Sequence, residues 1–158
     1  MRKQLLDDKA ETTDVSLAWS KLTLLVSAVE TSLDKWLGDT YRVGLTEFRA
    51  LVFLSQAADK ELRVNDLAQR VGLNPSSATR LVHRLEAKGL ARRDVCADDG
   101  RGVYAVIDAA GDSALRDMKA AYEARLQELL GDLDAHFPHL AAGSSAKALA
   151  QVAALLSE

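Results

Sequence analysis

The 158-residue chain has a single cysteine, Cys96, which excludes an intrachain disulfide and fits a reducing compartment. No apolar run approaches the roughly 20 residues that a membrane-spanning helix needs. The N-terminus, Met1-Arg-Lys-Gln-Leu-Leu-Asp-Asp, lacks the apolar core and small-residue site of a secretory signal, so a cytoplasmic protein without a membrane partner is expected. Glycine-rich phosphate loops, nucleophile elbows and paired-histidine motifs are all missing, which makes an enzyme the weaker class of reading. His136 and His139 stand three apart near Asp132 and Asp134, but Phe137-Pro138 breaks the helix that would align the two rings. Neither a metal nor a cofactor is expected.

Net charge is also small, at -3, which looks wrong for a nucleic-acid binder until it is divided along the chain. Between Arg63 and Tyr104, eight Arg and Lys face five Asp and Glu, a local charge of +3 that leaves -6 elsewhere. Phosphate contacts depend on that local field rather than on the total. A content of 48% apolar and 27% charged residues is that of an ordinary globular protein.

The basic stretch has a pattern of its own. Val64, Leu67, Ala68 and Val71 repeat at helical spacing, Gly72 stops that helix, and Asn74-Pro75 starts another that runs through Leu81, Val82 and Leu85 to Gly89. Two short helices joined by such a turn read as a helix-turn-helix. Leu90 to Ala97, a turn at Asp98-Asp99-Gly100, and the β-branched run Val103 to Ile107 then carry the signals of a hairpin. The expected fold class is mainly α with a small β-hairpin wing: a winged helix-turn-helix over residues 45–107, flanked by helical segments.

Residues 1–13 are polar, without a period, and read as a flexible tail. Over 14–44, Val15, Trp19, Leu22, Val26, Val29, Leu33 and Trp36 alternate spacings of four and three, the seam of a helix packed lengthwise on another. An intrachain core helix and a dimerisation helix are both open at this point. Thr46 is a plausible N-cap for a helix through about Ala57, and Asp108 for the helix after the hairpin. Leu115, Met118, Tyr122, Leu126, Leu129 and Leu133 form one face of the latter. A break at residues 136–139 and Gly143-Ser144-Ser145 lead to a last helix with Leu149, Val152, Ala153 and Leu156. The terminal helices, 14–44 and 108–158, carry more apolar surface than the small winged helix can cover. Packing against a second copy is its simplest use, with Val15, Trp19, Leu22, Leu149, Val152 and Leu156 as interface candidates.

On the second helix of the motif, Ala78, Leu81, Val82 and Leu85 face inward. Asn74, Ser76, Ser77, Thr79, Arg80, His83 and Arg84 remain as DNA-facing candidates, because short hydroxyls at a helix start permit close approach to phosphates and base edges. At the hairpin tip, Asp99 can hold the turn while Arg101 projects beyond the strands, where an arginine can enter the minor groove.

Leu45-Thr46, Asp66-Leu67-Ala68, Ser76-Ser77-Ala78-Thr79-Arg80-Leu81-Val82, Arg84-Leu85-Glu86-Ala87-Lys88-Gly89-Leu90, Arg92-Arg93 and Asp99-Gly100-Arg101, with Gly111 beyond, resemble the MarR family of bacterial transcription regulators. The resemblance implies a homodimer built on the terminal helices, a double-stranded operator as partner, a ligand-responsive repressor, and a small-molecule pocket where the two regions join. His83 stands where the family often has aspartate, Gly100 where it often has arginine, and Asp108 where threonine is common. Trp19, Trp36, Tyr41 and Phe48 are the aromatics placed to line such a pocket, although core packing explains each of them as well and is the favoured reading. Peroxide sensors of the family carry their cysteine in the long first helix, and this first helix has none; with Arg92 and Arg93 nearby, Cys96 is still read as incidental. The reading is thus a dimeric regulator on a pseudo-palindromic duplex, with half-sites about 10 bp apart. Its alternative is a helical dimer that binds proteins and not DNA.

Overall fold

A computed structural model describes the backbone of residues 4–95, 102–140 and 142–157, and their side chains from Val15 on with the exception of residue 142. The order is α1 (Gln4–Tyr41), α2 (Leu45–Gln56), β1 (Glu61–Arg63), α3 (Val64–Val71), α4 (Pro75–Ala87), β2 (Ala91–Val95), β3 (Val103–Ile107), α5 (Ala109–Gly131), α6 (Leu133–His136) and α7 (Ala142–Leu155). Cys96, Asp98, Asp99, Gly100 and Arg101 lie outside the described residues. Residues 33–124 form one compact unit, and residues 1–32 with 125–158 form another. The division falls inside α1 and α5.

In the unit of residues 33–124, α2, α3 and α4 pack on one another and on the sheet. Val64, Leu67 and Ala68 bury one face of α3, and Gly72 ends it in the left-handed region at φ 80°, where a side chain is strained. Asn74 caps α4 by accepting the Ser77 N–H at 2.8 Å, and Pro75 at its start has no N–H to leave unpaired. At the other end, Gly89 at φ 68° lets the Leu90 N–H reach the Leu85 carbonyl at 3.0 Å. The strands pair antiparallel in the order β1-β3-β2, with Arg93 opposite Ala105 and Arg63 opposite Tyr104.

Several expectations need correction here. A third strand, β1, joins the expected hairpin; three residues are too few to show an alternation, and pairing with β3 creates the strand. Thr46 is not the cap of α2. Gly44 holds that place, and the carboxylate of Glu47 accepts its N–H at 3.0 Å. Asp108 does cap α5, accepting the Gly111 N–H at 2.9 Å. The chain expected to be a tail is helical from Gln4, because residues such as Leu, Lys, Ala and Glu favour helix even without an apolar period. Gly143, Ser144 and Ser145 sit inside the first turn of α7 rather than ahead of it.

In the unit formed by the chain ends, Ala18, Leu25 and Val29 of α1 are buried, as are Leu129, Phe137, Leu140 and Ala148. The seam read from spacing is divided: Val29 and Leu33 are in the core, whereas Val15, Val26 and the 57%-exposed Trp19 are not. The intrachain-core reading therefore fails for those three. Leu22 and Val152 are half-buried, and Leu149 and Leu156 are exposed.

Gly111 lies in the first turn of α5 against the start of β2. A Cβ there would fall on the carbonyl oxygen of Leu90 and 2.9 Å from Cγ1 of Ile107. Gly111→Ala is expected to cost at least about 2 kcal/mol and lower the thermal midpoint by ~4–8 °C. A midpoint within ~1 °C of wild type would show that the contact relaxes without strain.

Candidate nucleic-acid interface

The outward face of α4 follows from the burial of its inward one. Ala78, Leu81, Val82 and Leu85 are fully buried, which turns Ser76, Thr79, Arg80, His83 and Arg84 to the outside, while Ser77 is half-buried. Two of the small polar groups near the start are already engaged. Ser76 donates its hydroxyl to Asn74 Oδ1 at 2.8 Å, and Thr79 donates to the Pro75 carbonyl at 3.0 Å. Asn74 thus holds the helix start together. Arg80 makes no hydrogen bond or ion pair among the described residues, so its guanidinium keeps all five donors.

His83 is tied to the wing. Arg93 Nη1 of β2 lies 3.2 Å from His83 Nε2. Arg93 also donates from Nε to Glu86 at 3.0 Å and from its backbone N–H at 3.4 Å. The backbone and side-chain bonds from Arg93 hold the exposed Glu86 carboxyl below the ordinary glutamate value. Where the resembled family often has an aspartate, this chain has His83, and Glu86 supplies the negative charge for Arg93.

Arg84 turns away from full freedom. Its Nε donates to Glu47 Oε1 at 3.1 Å, and Lys88 Nζ donates to Glu47 Oε2 at 2.6 Å and to the Arg42 carbonyl at 2.8 Å. Glu47 itself is only 4% exposed. Burial pushes its carboxyl up, but the bonds from Lys88, the Gly44 N–H and Arg84 together outweigh that and hold it below the ordinary value. Sequence reasoning had passed over Glu47, although a glutamate three residues after a helix start is a recognisable capping signal.

Between α3, α4 and the sheet runs a groove of about 270 Å³ lined by Arg63, Val64, Asn65, Thr79, Val82, Arg93, Gly102 and Val103. Arg63 lies over the Tyr104 ring, 5.6 Å from its centre, and donates from Nε to its hydroxyl at 3.0 Å. This groove places two arginines beside Thr79, and only the tip of the hairpin, not its root, had been expected to contribute.

Of the aromatics considered for a ligand pocket, Tyr41 and Phe48 line different cavities. Tyr41 lines a cavity of about 410 Å³ with Arg42, Val43, Lys88, Leu90, Ala114, Asp117 and Met118. Phe48 stacks on Tyr122 beside a different cavity, of about 220 Å³. Trp36 packs edge-on against Tyr41, and Trp19 belongs to the unit of the chain ends. No group of three or more candidate metal ligands occurs among the described residues.

Glu47→Gln keeps the shape and the acceptor for Gly44 but removes the charge from Arg84 and Lys88. Both partners are partly exposed, so the expected loss at pH 7 is about 1–2 kcal/mol, between surface and buried pairs. Because the folded-state carboxyl is held low, this stability is present above about pH 4.3 and is lost as pH falls through the lowered value. Unfolding curves of wild type and variant should therefore converge in acid. An undiminished gap at pH 3 would rule out the charge as its source.

A sequence model of the MarR family matches residues 43–102. No curated protein sequence matches the chain. Among solved structures, AbsC, a MarR family transcriptional regulator from Streptomyces coelicolor, superposes with a TM-score of 0.69 at 23% identity, covering 90% of each chain. Sco3205 of the same organism, a MarR family regulator solved in complex with DNA, gives 0.70 at 22% identity over 90% of this chain and 85% of its own. MepR of Staphylococcus aureus, also in a DNA complex, gives 0.64 at 18% identity over 85% and 93%. Residues 43–102 are thus a MarR-family segment, set in a chain that has the fold of MarR-family transcriptional regulators.

Proposed function

We propose that this protein is a transcriptional regulator that binds a pseudo-palindromic DNA duplex as a homodimer. One observation carries the reading: α4 presents Arg80, unpaired among the described residues, on an exposed face beside a groove lined by Arg63 and Arg93. An α-helix fits the major groove, and the groove beside it suits the phosphate backbone. Arg101 lies outside the described residues, and its proposed part, a minor-groove contact, rests on the sequence alone. The DNA complexes of Sco3205 and MepR, which share the fold, support the reading.

The homodimer rests on the unit of the chain ends. Val15, Trp19, Val26, Leu149, Leu155 and Leu156 leave large apolar side chains in solvent there. Exposure on that scale marks an interaction surface, and a second copy satisfies it with the symmetry that a pseudo-palindrome requires. A repressor that responds to a small molecule is the role implied by the family. The 410 Å³ cavity at Tyr41 and Lys88 is of a size for such an effector, and a ligand acts only if it favours one spacing of the two reading helices.

Arg80→Ala should weaken binding to a duplex enriched from a random library by roughly 5- to 150-fold at fixed salt, and Arg101→Ala should also weaken it. Wild-type protein that shows no salt-dependent retention on any duplex would instead favour a protein-binding module. Trp19→Glu should shift the sedimentation of the protein from dimer toward monomer without loss of helicity. An unchanged dimer mass would place the interface elsewhere.

A further inference from the structure

Resting on the DNA-binding reading above, we infer that Glu47 is a positioning residue that sets sequence specificity through Arg84. A buried carboxylate is costly unless its oxygens are satisfied, and those of Glu47 are: Oε1 by Arg84, Oε2 by Lys88 and the Gly44 N–H. Its backbone is fixed in the first turn of α2, where the helix dipole favours a negative charge. A rigid acceptor therefore grips the inner edge of the Arg84 guanidinium.

What this leaves outside is the useful part of the side chain. Arg84 is bound at Nε, and among the described residues neither terminal nitrogen has a partner. The planar fork is therefore held at one edge with its two Nη groups available on the exposed face of α4. An arginine fixed in this way has lost its rotamer freedom on folding rather than on binding, and it offers a guanine edge a donor pair of set direction. Arg80, one turn earlier, has no such anchor among the described residues. The two cations on one helix face thus divide the work: Arg80 follows whatever acceptor is present, and Arg84 discriminates. Lys88 supports the same arrangement from the far side, since its bond to the Arg42 carbonyl fixes the loop ahead of α2 to the end of α4.

The experiment compares wild type, Glu47→Gln, Arg84→Ala and the double variant, together with Arg84→Lys. The probes are the duplex that wild-type protein enriches from a random library and a scrambled duplex of the same composition, at one salt concentration. Arg84→Ala should reduce the ratio of the two affinities by roughly tenfold. Glu47→Gln, with the arginine charge intact, should reduce the same ratio several-fold. In the Arg84→Ala background, Glu47→Gln should have no further effect on it. Arg84→Lys, which keeps the charge but has no fork for the carboxylate to hold, should lose the ratio while still binding the scrambled duplex, and it decides the matter if Glu47→Gln does not fold. The inference is overturned if Glu47→Gln weakens both duplexes equally, if its effect on the ratio is the same with and without Arg84, or if Arg84→Lys retains wild-type discrimination. These outcomes leave the DNA-binding reading standing. Loss of all salt-dependent duplex binding by the wild type removes both.

Discussion

The rotation of α4 about its own axis is set by four side chains, and the outward chemistry of the molecule depends on that setting. Ala78, Leu81, Val82 and Leu85 are all fully buried, against a core to which α2, α3 and the sheet contribute. In a close-packed interior such a stripe admits one orientation, because turning the helix by one residue would bring a serine or an arginine into the core. Both ends are held as well. Asn74 and Pro75 start the helix, and the left-handed Gly89 ends it one residue before β2 has to begin its approach.

Electrostatics then divides the cations that this frame presents. Arg84 and Lys88 meet Glu47, Arg93 meets Glu86, and Arg92 meets Asp94. The acids that make the whole chain negative are, in this region, partners that orient arginines rather than a field that repels DNA. The pair at Arg92 is exposed on both sides and contributes little to stability, whereas the buried Glu47 is a structural anchor. Uneven burial of otherwise similar ion pairs separates cations held in place from those free to follow a phosphate.

Much of the winged helix was legible in the sequence because its signals are local and redundant. Gly72, Asn74-Pro75 and Gly89 mark the helix ends, and the apolar period of α4 matches its buried face residue for residue. The first helix was less legible. Its buried stripe runs through Ala18, Leu25, Val29, Leu33 and Leu37, whereas spacing of the largest side chains selected Val15, Trp19 and Val26. Periodicity counts apolar side chains but does not say whether their partner is in the same chain. Glu47 was missed for a related reason: its partners lie 37 and 41 residues away, and only the fold brings them together. Tyr41 and Phe48 are both aromatic, and type does not determine which cavity a ring faces.

The approach of Gly111 to Leu90 has a mechanical meaning. Where two elements touch through side chains, rotamers can absorb a displacement of several tenths of an ångström before the neighbour moves. Between α5 and the start of β2 that cushion is missing, since the helix backbone itself rests against a carbonyl group. The two behave as a gear without backlash: a roll or slide of the first turn of α5 passes directly into the base of the wing. Whatever shifts α5 at that point also re-aims the hairpin, with no slack in which the motion could be lost.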